Sequence, residues 1–145
     1  MVEEGATVVA ACGGFDNDFS AELIPEARRP ELNRSGDWLY HRESFFRPGD
    51  KFFEDMQTGL ADALLYTDVI TGTHYDAKAD SVPDETHAFA FSTGYPNSNG
   101  YLGGFKLGTY NIGKGKLILN TYDLFDSAFF VPYAKQLLVN ILDRA

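Results

Sequence analysis

A single cysteine, Cys12, follows a short apolar run and precedes Gly13-Gly14. A nucleophilic thiol needs such a setting: a sharp turn at a strand end, small neighbours that let a substrate approach, and a histidine to hold the thiolate. His41, His74 and His87 are available, although none sits in a His-x-Glu arrangement. Cys12 with His41 or His87 is therefore one candidate catalytic set. The following Phe15-Asp16-Asn17-Asp18 works against it, because nearby carboxylates raise a thiol pKa. A small cysteine buried at a strand end is the plainer account.

Carboxylate pairs are plentiful: Glu54-Asp55, Asp84-Glu85, and Asp123 with Asp126. Glycoside cleavage needs two carboxyls roughly 5–10 Å apart across a sugar, which sequence spacing does not supply. With 21 acids in the chain, solvated pairs are the simpler expectation. Asp16-Asn17-Asp18 has the acids of a calcium loop but lacks its glycine and distal glutamate. The histidines are scattered and there is no second cysteine, so no zinc site is expected. Neither Gly13-Gly14 nor Gly103-Gly104 belongs to a phosphate loop or dinucleotide fingerprint, so no cofactor is expected. Trp38, Tyr95 and Tyr101 could stack on sugar rings; a Phe-rich core with tyrosines at its rim explains them equally well.

These residues belong to a chain of 145 residues, long enough for one domain (1–145) with its own core. A net charge of −9 repels phosphate backbones and anionic lipid, so nucleic-acid and membrane-surface binding are not expected. Neutral partners such as a sugar or a protein surface remain. No apolar run is long enough to span a membrane, and the N-terminus does not read as a signal peptide. The sequence therefore reads as a soluble protein of unknown location.

Residues 1–5 read as the tail of a helix closed by Gly5, and Ala6-Thr7-Val8-Val9-Ala10-Ala11 as a strand covered on both faces. Residues 15–37 read as an irregular connection with one helical turn near 21–24. Residues 38–46 read as extended, Pro48-Gly49-Asp50 as a turn, 51–56 as a helical turn, 63–70 as a strand and 71–85 as a loop. A strand is expected at 87–92 and an exposed turn at 94–100. A hairpin follows, with strands 104–112 and 116–121 joined by Gly113-Lys114-Gly115. Along 104–112, Phe105, Leu107, Thr109 and Asn111 should alternate with Lys106, Gly108, Tyr110 and Ile112. Asp126 or Ser127 should cap a final helix with Pro132 in its first turn. Its stripe, Ala134, Leu137, Leu138, Ile141 and Leu142, should face the sheet.

Two stretches carry a resemblance. They are Tyr110-Asn111-Ile112-Gly113-Lys114-Gly115-Lys116-Leu117-Ile118-Leu119-Asn120-Thr121 and Pro132-Tyr133-Ala134-Lys135-Gln136-Leu137-Leu138-Val139-Asn140-Ile141-Leu142. They resemble the end of the glutamine-amidotransferase-like (flavodoxin-like) domain at the C-terminus of some family-two glycoside hydrolases of β-galactosidase type. Phe52-Phe53-Glu54-Asp55-Met56, the stretch 62–70, and Val2-Glu3-Glu4-Gly5-Ala6-Thr7-Val8-Val9 resemble further parts of that domain. Residues 15–50 do not match it, and its two or three leading βα units have no counterpart here.

The resemblance implies an α/β fold: a mixed sheet with flanking helices, a partial class I glutamine-amidotransferase-like domain ending in a hairpin and helix. It implies a non-catalytic accessory or assembly domain that packs on a parent glycosidase or on a second copy of itself. Two other functions fit the residues. One is a small hydrolase or amidotransferase-like enzyme with Cys12 as nucleophile; the other is a carbohydrate-binding module using Trp38, Tyr95 and Tyr101.

Overall fold

The computed structural model describes residues 2–11, 20–34, 44–59, 65–76, 78–93 and 101–145. Among them, seven strands form one mixed sheet: β1 (Thr7–Ala11), β2 (Glu31–Arg34), β3 (Ser44–Phe46), β4 (Thr73–Asp76), β5 (Glu85–Thr93), β6 (Tyr101–Ile112) and β7 (Gly115–Asn120). The chain is thus mixed α/β, with α1 (Pro132–Arg144) at its C-terminal end.

The long strand β6 organises the sheet. One edge pairs with β5 from Tyr101 to Thr109, and β3 lies outside β5. The other edge is shared: β4 takes Gly104 and Phe105, and β7 takes residues 107–112. Beyond β4 lies β2, and beyond β7 lies β1, the single parallel pairing.

The β6–β7 hairpin forms where the glycines predict it. Gly113 sits at φ +61°, and Ile112 pairs with Gly115. Gly115 serves a different need. A Cβ there would lie 2.0 Å from the Val2 carbonyl and 2.4 Å from that of Ala6, so only glycine lets the first turn cross the hairpin. That turn is a 3-10 segment, Val2–Glu4, closed by Gly5 at φ +119°.

Alternation along β7 builds both layers of the core. Ile118 points into a cluster with Phe46, Phe52, Phe53, Tyr122, Leu137 and Ile141. Leu117 and Leu119 point into another, with Tyr75, Phe105, Tyr110 and Ile24. β1 contributes less than its apolar run suggests: Ala10 is buried, Val8 and Val9 are half-buried, and Thr7 is exposed.

Several expectations need correction. Residues 66–70 are a turn of helix rather than a strand, with the Val69 and Ile70 amides both donating to the Tyr66 carbonyl. Tyr66, Val69 and Ile70 all bury there, and that packing outweighs their β propensity. The loop expected over 71–85 contains β4, and the irregular 15–37 stretch contains two 3-10 turns and β2.

Neither Asp126 nor Ser127 caps α1. They begin a separate 3-10 turn, Ser127–Phe129, and α1 starts after Val131 with Pro132 in its first turn. Of the expected helix stripe, Ala134, Leu137 and Ile141 are buried, Leu138 is half-buried and Leu142 is 59% exposed. Asn140 takes the remaining buried place, its Nδ2 donating to the Phe52 and Glu54 carbonyls at 3.0 and 2.9 Å.

Candidate functional site

Strict alternation fails between β5 and β6, and the failure places two buried polar side chains. Thr86 pairs with Gly108, Ala88 with Leu107 and Phe89 with Phe105. His87 is thus the extra residue of a bulge on β5, and Lys106 the extra residue of a compensating bulge on β6. A bulge re-aims a side chain that regular pleating would send elsewhere. Each bulged carbonyl also accepts a bond from a neighbouring segment, His87 from the Arg47 amide at 2.8 Å and Lys106 from the Thr121 amide at 2.9 Å.

His87 is wholly buried. Its Nδ1 lies 2.8 Å from Asp50 Oδ2 and its Nε2 lies 2.8 Å from Thr109 Oγ1. Asp50 caps the 3-10 turn Lys51–Phe53, accepting from the Phe52 amide at 2.9 Å, and Arg47 reaches the carboxylate at 2.6 Å. Burial alone would push the Asp50 carboxyl up. The His87 bond, the Phe52 amide and the charges of His87 and Arg47 outweigh burial and hold it below the ordinary aspartate range.

Carboxylate, imidazole and hydroxyl in line is the order of a nucleophilic relay. Here the Thr109 hydroxyl is buried and the Phe52 ring lies across the imidazole, centroids 4.3 Å apart. The arrangement therefore ties β5, β6 and the Asp50 turn together and presents no open nucleophile.

Lys106 donates to the Thr71 and Thr73 carbonyls at 2.7 and 2.8 Å. His74, also buried, has Nε2 3.0 Å from Asp76 Oδ1. Burial lowers its pKa, and the Lys106 charge lowers it further against the opposing pull of Asp76.

Of the residues singled out by sequence, the structure places His87 in this buried relay. Cys12, His41, Trp38 and Tyr95 lie outside the described residues, as do Asp16-Asn17-Asp18. Tyr101 opens β6 opposite Thr93. One member of each acidic pair has a partner of its own. Glu54 pairs with Arg144. Asp84 pairs with Arg28 at 2.9 Å and accepts the Asn111 amide at 2.7 Å. Asp123 Oδ2 lies 3.3 Å from Ser127 Oγ. Among the described residues no group of three or more His, Cys, Asp or Glu is placed to hold a metal. Asp50 and Thr109 escaped sequence reading. The signal for Asp50 was its position just after Pro48-Gly49 and just before a helical turn, where a capping acid belongs.

The accessible feature is apolar. Phe129 and Phe130, joining the short turn to α1, are 84% and 88% exposed. With Phe125 and the outer face of α1 (Leu138, Val139, Leu142) they line a cleft of about 820 Å³. Its two charged lining residues are Asp126 and Lys135. Isolated exposed apolar residues are ordinary, but a contiguous set of this kind marks an interaction surface. Among the described residues no helix is long and apolar enough to cross a membrane.

Comparison with protein families, with curated proteins and with solved structures finds no match.

Proposed function

We propose that the chain is a non-catalytic accessory or assembly domain, similar to the C-terminal module of family-two glycoside hydrolases of β-galactosidase type. In this reading its ancestry is flavodoxin-like and class I glutamine-amidotransferase-like. The Gly113-Lys114-Gly115 hairpin, the parallel β1–β7 pair beside it and the final helix on the sheet are the parts retained. Its work is to pack against another folded body, a parent glycosidase or a copy of itself.

One observation carries the proposal: the polar constellation is sealed while the apolar face of α1 is open. His87, Asp50 and Thr109 spend their hydrogen-bonding capacity on one another inside the core. Phe129 and Phe130 stand in solvent beside a cleft able to receive side chains. An enzyme needs the reverse, polar groups converging in an accessible pocket.

The test is turnover. The purified chain should hydrolyse neither a chromogenic β-galactoside nor the side-chain amide of glutamine above buffer background, and Cys12→Ala should change nothing. Turnover that disappears with Cys12→Ala would overturn the accessory reading in favour of a thiol enzyme.

A further inference from the structure

We infer that the body docked on the α1 face is a second copy of this chain, held by a two-fold interface. The inference rests on the assembly reading above and names its partner.

Three observations point to self-association. The first is shape. A two-fold interface uses one patch on both copies, so that patch must supply both projection and recess. Here the exposed Phe129–Phe130 pair, ring centroids 6.5 Å apart, projects at the rim of the cleft that runs along Leu138, Val139 and Leu142. One copy's phenylalanines can enter the other's cleft while receiving the same in return.

The second is charge. The cleft lining holds one acid and one base, Asp126 and Lys135, and among the described residues neither forms an ion pair. Two-fold packing brings Asp126 of each copy towards Lys135 of the other, giving two equivalent pairs. A strongly basic or acidic partner would leave one of them opposed. The chain's net charge of −9 disfavours pairing of two copies in general. Screening confines that repulsion to roughly 8 Å at physiological salt, so the local pairs at the face dominate.

The third is area. Phenylalanine side chains bury about 150–250 Å² each. At their exposures Phe125, Phe129 and Phe130 offer roughly 330–560 Å², and with the exposed parts of Val139 and Leu142 the face nears the roughly 600 Å² per partner at the lower end of specific interfaces. α1 spans about 20 Å at 1.5 Å per residue, enough to lie along its symmetry mate.

Light scattering at tens of micromolar tests the proposal. The chain of 16.1 kDa should elute as a single species of twice that mass. Phe129→Ser with Phe130→Ser should give a monomer that unfolds as cooperatively as the wild type, with a melting temperature that no longer rises with protein concentration. Lys135→Asp should shift the equilibrium towards monomer by about tenfold or more, and Asp126→Lys likewise. The double swap Asp126→Lys with Lys135→Asp should restore the dimer to within about threefold, as recovered opposite-charge pairing predicts. A wild-type monomer, an open series of larger species, a dimer that survives the two serines, or singles whose dimer dissociation constant is unchanged would each overturn the inference. None of these depends on turnover. A monomer without activity sinks the dimer alone, whereas a dimer that turns over substrate sinks the accessory reading alone.

Discussion

His87 shows how one polar residue can govern a core. It sits at a bulge, fully buried, and each ring nitrogen has a partner at 2.8 Å. Removing the ring strands the Asp50 carboxylate and the Thr109 hydroxyl in the interior. An uncompensated buried group of this kind costs about 2–5 kcal/mol. His87→Ala should lower the urea-unfolding free energy by that amount, whereas Lys114→Ala, exposed and outside the cleft, should stay within about 0.5 kcal/mol. The Asp50 carboxyl sits below its ordinary value of 3.8, so it adds stability that is complete above that value and is lost as pH falls through the lowered one. Melting temperature should therefore fall on acidification below about pH 4. Asp50→Asn should be less stable near neutrality and show a shallower acid slope. An unchanged slope would mean that the carboxylate is not bound as described.

Among the elements, what was legible depended on how local the determinant was. The β6–β7 hairpin could be read because Gly113 alone supplies the positive φ that its turn requires. The strand at β5 could be read from its short apolar run Ala88-Phe89-Ala90-Phe91, and α1 from its spacing and Pro132. β4 could not: Thr73-His74-Tyr75-Asp76 looks like a polar loop, and it becomes a buried strand because Asp76 takes the His74 ring and because β2 and β6 flank it. The bulges at His87 and Lys106 were equally hidden, since they are set by the partner strand. The helix stripe was misjudged at Leu142, which is exposed, while Asn140, a polar residue, is buried because it is anchored to the Phe52 and Glu54 carbonyls. A paired substitution separates the two faces of α1. Leu137→Asp places an unpaired charge in the core and should abolish cooperative unfolding at room temperature. Leu142→Asp, on the outer face, should keep cooperative unfolding and lose only the concentration-dependent stability that pairing of two copies adds. Equal damage from both would place the packing face elsewhere.

For the whole molecule, the sheet and its two apolar layers account for the buried side chains, and the face around Phe129, Phe130 and Leu142 is left over. The hairpin and the final helix were legible in sequence; the open face was not, because exposure of Phe129 depends on its place at the end of the turn that precedes α1. We propose that this face, rather than the buried relay, is where the protein meets its partner. Amide hydrogen exchange at two protein concentrations tests it most directly. Peptides spanning residues 125–142 should gain protection as concentration rises, while those from β5 and β7 stay unchanged. Exchange in 125–142 that ignores concentration, with protection instead changing around Asp50 and His87, would place the contact at the relay and not at this face.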